Sequence, residues 1–167
     1  EAYDIKNVAY NTFRYHLMVA TGNSAKKSEV TIIRVWHTDI ITQYANGDIQ
    51  LRSNGWEPCK EDPTQLTKNR LREFMPGGFY IEQRKYQLYI RLGMKWNKYS
   101  SYVQAGSKWV EYKFVDGMVF PAKYKGRHDD SKPRPAYVLY GGAGMKVWLE
   151  PSAICYSWKE YLKEGRF

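Results

Sequence analysis

The stretch from Val30 to Ser53 constrains this chain more tightly than any other. Val30–His37 reads VTIIRVWH, a β-branched and aromatic run that fits a strand and resists a helix. Asp39–Ala45 and Asp48–Ser53 then flank Asn46-Gly47. Asn-Gly favours a two-residue hairpin turn, because both of its residues accept positive φ. Counting outward from that turn sets Tyr44 opposite Ile49 and Thr42 opposite Leu51, with Ile40 approaching Ser53. Gln43/Gln50 and Ile41/Arg52 fall on the other face. The alternation specifies a register and predicts a three-stranded antiparallel meander.

Further along, Thr64 or Thr67 can cap a helix running to about Met75. Leu66, Leu71, Phe74 and Met75 form its apolar side, and Pro76-Gly77-Gly78 ends it. Phe79–Gln83 and Gln87–Leu92 read as strands joined around Arg84-Lys85-Tyr86. Two more hairpins are expected: Trp109–Val115 with Met118–Ala122 around Asp116-Gly117, and Tyr137–Tyr140 with Met145–Leu149 around Gly141–Gly144. Pro151-Ser152 starts a short C-terminal helix, with Ile154, Trp158, Tyr161 and Leu162 at roughly helical spacing. Residues 1–20 fit neither period: Val8, Phe13 and Leu17 approximate a helical face that Tyr10, Thr12 and Tyr15 interrupt.

The expected fold class is α+β. It is mainly antiparallel sheet built from hairpins and a meander, with one central helix and a short C-terminal helix. At 167 residues the chain suits one domain, 1–167. The stretch 94–106, with Asn97, Ser100, Ser101 and Gly106, is where composition offers a sub-domain boundary.

Composition narrows the function classes. Aromatics make up 16% of the chain, which excludes a disordered tail. No apolar run is long enough for a membrane helix, so no membrane partner is expected. Cys59 and Cys155 form no CxxC pair, and His16, His37 and His128 are scattered, so neither a structural zinc site nor any cofactor is expected. The two thiols could close a disulfide, and two free thiols in a reducing compartment are the expectation. There is no P-loop, nucleophile elbow or HExxH motif.

The formal charge of +9 points to a polyanion. Two clusters carry much of it. The first is a basic and aromatic band holding Lys68, Arg70, Arg72, Arg84, Lys85, Arg91, Lys95 and Lys98, interleaved with Tyr80, Tyr86, Tyr89, Trp96 and Tyr99. The second is the charged, Pro-rich segment 123–135, with Lys125 and Arg127 at its centre. Cations bind a phosphate backbone, and exposed aromatic faces stack on unpaired bases. The competing reading makes the charges a solvated face and the aromatics sheet core. His37, at the end of VTIIRVWH, and His128 are the only candidates for a general base in a small metal-independent nuclease. No catalytic residue is assigned, and an enzyme is not the expectation.

The run from Thr38-Asp39-Ile40 through Tyr44–Trp56, followed by Thr67-Lys68-Asn69-Arg70-Leu71, resembles a pattern in small uncharacterised bacteriophage proteins. There a hairpin ending in Gly-Trp or Gly-Tyr leads to a Thr-Lys-x-Arg helix start, and a further hairpin usually follows. The resemblance spans residues 30–92, and Glu57–Leu66 is a longer spacer than the pattern carries. It implies a viral protein in the host cytoplasm or the virion and supplies no catalytic residues. Trp56 would fold over the Tyr44/Ile49/Leu51 face. Lys68 and Arg70 in the first helical turn would oppose the helix dipole unless an anion sat there. The leading expectation is a nucleic-acid-binding module contacting DNA or RNA phosphates. The alternatives are a viral factor that meets an acidic host protein, and the nuclease.

Overall fold

A computed structural model of the chain describes residues 2–20, 27–53, 65–75, 79–85, 87–92, 110–121, 136–141 and 144–154. These residues form twelve strands and one helix. β1 (Ala2–Ala9), β2 (Thr12–Ala20), β3 (Lys27–Val35), β4 (Thr38–Gln43) and β5 (Ile49–Leu51) run as an antiparallel meander. Helix α1 (Gln65–Phe74) follows. β6 (Phe79–Arg84), β7 (Gln87–Leu92), β8 (Val110–Lys113) and β9 (Val119–Phe120) come next, then β10 (Tyr137–Tyr140), β11 (Met145–Trp148) and β12 (Ala153–Ile154).

The strands make two sheets. One has eight strands in the order β1-β2-β3-β4-β5-β9-β10-β11; the other has four, in the order β12-β8-β7-β6. The sheets face each other across one core. Ile33, Ile41, Leu51, Phe120 and Val138 come from the first, and Ile81, Leu88, Ile90, Leu92 and Tyr112 from the second. Phe120 meets Phe79 edge-on at 5.2 Å and Tyr112 at 6.2 Å across the interface. Leu71 inserts from α1, fully buried. The antiparallel, hairpin-built character and the central helix are as expected. Among the described residues no helix is long and apolar enough to cross a membrane.

The residues of the ambiguous N-terminal stretch form the hairpin β1–β2, turning at Tyr10-Asn11 with Asn11 at φ 50°. Asn is one of the few residues that accept that conformation readily. Bulges at both ends of β1 explain why no clean period of two is visible there. The Val30–His37 strand ends earlier than expected, at Val35, and Trp36-His37 form the turn into β4.

The meander is present, but its last register differs from expectation by one residue. The pairs are Ile41↔Leu51, Thr42↔Gln50 and Gln43↔Ile49. Only Gly47 of the Asn-Gly pair takes positive φ, at 94°. Gly47 N–H donates to Tyr44 O (2.9 Å), and Tyr44 N–H donates to Asp48 O (2.9 Å). The loop thus has three residues instead of two, and the added residue exchanges the facing pairs.

The Asp116-Gly117 turn forms, yet its flanking strands do not pair as a hairpin: β8 joins the small sheet and β9 the large one. Residues 114–118 cross between the sheets and are held at both ends. Phe114 N–H donates to Leu88 O (2.9 Å), Gly117 N–H to Leu51 O (2.8 Å), and Leu51 N–H to Met118 O (2.9 Å). The hairpins β6–β7 and β10–β11 are as expected. Instead of opening a helix, Pro151-Ser152 lead into β12, because Ala153 and Ile154 pair with Glu111 and Val110. Residues 155–167 lie outside the described residues, as do Trp56, the 94–106 boundary and both cysteines.

Gly117 sits at φ 86°, with no atom within 4 Å of where a Cβ would stand. Its replacement therefore costs backbone strain alone. Gly117→Ala should lower the unfolding free energy by about 1–2 kcal/mol, and Gly117→Asn by less. Urea melts of the three proteins would check the order.

Candidate nucleic-acid interface

The outer face of the four-stranded sheet carries Arg84 and Arg91 of the basic band. Alternation sends Ile81, Leu88, Ile90 and Tyr112 to the core and leaves Tyr80, Glu82, Arg84, Tyr89, Arg91, Glu111 and Lys113 on the other side. At its centre lies Glu111, only 1% exposed. Arg84 grips its carboxylate with two donors, Nη1 to Oε1 (2.8 Å) and Nη2 to Oε2 (2.7 Å). Arg91 Nε donates to Oε1 (2.9 Å) and Ser152 Oγ to Oε2 (3.1 Å). Glu82 Oε2 accepts from Arg84 (2.9 Å) and lies 3.3 Å from Arg91 Nη2. The Arg84 guanidinium also stacks 3.7 Å from the Tyr89 ring centroid. Burial pushes the Glu111 carboxyl up, but the hydrogen bonds from Arg84, Arg91 and Ser152 outweigh it, so the group titrates below its usual range.

The structure thus brings Arg84 and Arg91 together around two carboxylates, so their charges are answered within the protein. The other described candidates are placed apart. Lys68 Nζ donates to Gln83 Oε1 (2.9 Å). Arg70 reaches Thr12 Oγ1 (2.9 Å) and pairs with Glu73 (3.0 Å). Arg72 Nε caps Ile81 O (3.1 Å), and Lys85 is exposed at the β6–β7 turn with φ 57°. Because α1 begins at Gln65, Arg70 lies in its second turn, so of the two expected basic residues only Lys68 stays in the first turn to oppose the helix dipole. Lys95, Trp96, Lys98, Tyr99, Lys125 and Arg127 lie outside the described residues, as does His128. His37 is exposed in the Trp36-His37 turn. The nearby Asp39 carboxylate is engaged by two nitrogens of Arg34.

A second feature, not anticipated from the sequence, is a groove of about 540 Å³ on the large sheet, on the face turned away from the core. Leu17, Val30, Ile32 and Thr42 make its floor. Tyr44, Asn46, Gln50 and Arg52 stand along one side. Tyr44 Oη donates to Gln50 Oε1 (3.1 Å), as does Arg52 Nη2 (3.3 Å), while Gln50 Nε2 donates to Gly117 O (3.2 Å). The Gln50 amide is thereby fixed, and Arg52, exposed, spends only one of its five donors on it. The face continues through Val119 and Tyr137 to Trp148, which packs edge-on against Tyr137 at 5.2 Å. Lys146 Nζ lies 4.8 Å from the Tyr137 ring centroid. At the other end Arg34 sits 4.5 Å over Tyr15. The signal available in sequence was Val30, Ile32 and Thr42 on the same side of paired strands. The one-residue error in register concealed it.

Glu111 yields a direct test. Removing one partner of a buried ion cluster leaves the others unpaired, so Glu111→Ala should destabilise by about 3–5 kcal/mol. The carboxylate's pKa is lowered on folding, so its contribution is complete above the ordinary value of 4.5 and disappears as pH falls through the lowered one. Denaturant melts from pH 7 to pH 2 should show a steeper acid loss in the wild type than in Glu111→Gln. Comparisons of the chain with family models, with characterised proteins and with solved structures found no match.

Proposed function

We propose that the protein is a binding module for single-stranded nucleic acid, taken up on the outer face of the eight-stranded sheet. The observation that carries this is the groove, whose apolar floor is flanked by Tyr44, the fixed Gln50 amide and the Arg52 guanidinium. An unpaired base offers a flat apolar surface with a hydrogen-bonding edge, and its phosphate offers charge. The floor suits the first, the exposed Asn46 amide, on the flank that Gln50 holds in place, the second, and Arg52 the third. Half-buried Tyr15 and exposed Trp148 extend aromatic surface to both sides, Trp148 backed by the buried ring of Tyr137. The net charge of +9 supplies long-range attraction. A bacteriophage setting, drawn from residues 30–92, agrees with such a role and adds no chemistry to it.

A protein partner is a second reading. It is favoured by Tyr10 and Trp36, 72% and 59% exposed in neighbouring turns, since Trp and Tyr anchor protein interfaces.

Fluorescence polarisation with labelled single-stranded DNA, single-stranded RNA and duplex DNA separates the two. Single strands should bind more tightly than duplex, with affinity falling linearly on a log–log salt plot. Tyr44→Ala should cost about 1–3 kcal/mol, the range for one stacked base, with Arg52→Ala lowering the salt slope. No binding of single strands at low salt, or affinity unchanged in Tyr44→Ala, overturns the reading.

A further inference from the structure

The two edges of the large sheet are built differently. β1 carries Asp4, Lys6 and two bulges, the usual devices that keep an edge from pairing. β11 pairs with β10 in unbroken register, Tyr137↔Trp148 to Tyr140↔Met145. Its side chains are exposed on both faces: Met145 at 65% and Trp148 at 53%, with Val147, Leu139 and Tyr140 beside them. Among the described residues no strand covers its outer side. Leu149 N–H donates to Ala136 O, and Tyr137 pairs with Val119 of β9 on its other side. By the alternation of an antiparallel ladder, Lys146 and Trp148 therefore turn their backbone N–H and C=O groups away from β10.

We propose that this edge pairs antiparallel with β11 of a second copy of the chain, joining the two eight-stranded sheets into one across a two-fold axis. The sequence Lys146-Val147-Trp148-Leu149-Glu150 is self-complementary in one register. With Trp148 opposite Trp148 of the partner subunit, Lys146 faces Glu150 of the partner subunit, twice by symmetry, and Val147 faces the partner's Leu149. Opposite charges across a ladder stabilise it, whereas the register centred on Lys146 would set two ammonium groups against each other. The five exposed apolar side chains of β10 and β11 offer on the order of 500 Å² per copy, so pairing covers at most about 1,000 Å², the lower end for a specific interface. A two-fold of this kind stands perpendicular to the sheet, so both grooves open on the same side. The pairing itself does not rest on the nucleic-acid reading.

Sedimentation equilibrium of the full chain reads the state directly. The wild type should show twice the monomer mass of 19.7 kDa at micromolar to tens of micromolar concentration. Lys146→Glu and Glu150→Lys should each weaken the dimer at least tenfold, because each sets like charges together. The double variant should restore it. Both positions are exposed, and circular dichroism of each variant verifies that the fold is kept. A wild type that stays monomeric at 100 µM overturns the proposal. So does a dimer indifferent to the single changes, or a double variant that remains monomeric.

Discussion

A carboxylate as deeply buried as Glu111 must be met by cations, or it will not stay ionised. Every strand of the small sheet is arranged around that need. Arg84 reaches it from β6 and Arg91 from β7, and Ser152 arrives just before β12. The Ser152 N–H also donates to the Glu111 carbonyl at 2.7 Å. One residue of β8 thus ties together all four strands. Replacing such a cluster with apolar side chains is often neutral for stability, so its value lies elsewhere. A one-residue slip of β8 would drive Glu111 into the core against Ile90 and Leu92 and bring Tyr112 to the charged face. The ion cluster makes that slip prohibitive, so it specifies register more than it adds stability.

The crossover at residues 114–118 carries that register to the other sheet. Phe114 is bonded to β7, and Gly117 and Met118 to β5, so the turn is pinned from both layers. Gln50, on the groove side of β5, donates its amide to the Gly117 carbonyl. The polar flank of the groove is therefore held by the same turn that joins the sheets. A groove on a sheet's outer face would ordinarily be shaped by side chains alone. Here its hydrogen-bonding edge is referenced to the core.

Local signals in the sequence were read well, and long-range ones were not. The strand within VTIIRVWH, ending at Val35, the Leu71, Phe74 and Met75 face of α1, and the hairpins at 79–92 and 137–148 are decided by residues a few positions apart, and each is present. The meander register was missed because Asn46-Gly47 suits two turn types. Choosing between them depends on whether Ile41 packs opposite Leu51, and that is a property of the finished core. Asp116-Gly117 signalled a turn correctly, but a turn does not dictate whether its arms pair with each other or with β7 and β5. Glu111 escaped notice for the same reason. Within VEYK it is an ordinary strand glutamate, and its meaning comes from Arg84 and Arg91, some twenty or more residues away. The groove needed four strands in correct register, so no single segment could reveal it.

The clustering of charge in sequence also acquires a different meaning. In the folded sheets Arg84 and Arg91 are answered by Glu82 and Glu111, Arg34 by Asp39, and Arg70 by Glu73. Much of the remaining excess is written into residues 93–109 and 122–135. There Lys95, Lys98, Lys108, Lys123, Lys125, Arg127, Lys132 and Arg134 face only Asp129 and Asp130 in composition. Charge of this kind attracts a phosphate backbone over roughly a Debye length, about 10 Å, and treats duplex and single strand much alike. Under the proposed function, then, discrimination cannot come from the charge that first suggested it. It has to come from side chains that a splayed base can stack on and pair with, and the groove offers these along its exposed rim, Tyr44, Asn46 and Arg52, with half-buried Leu17 beneath them.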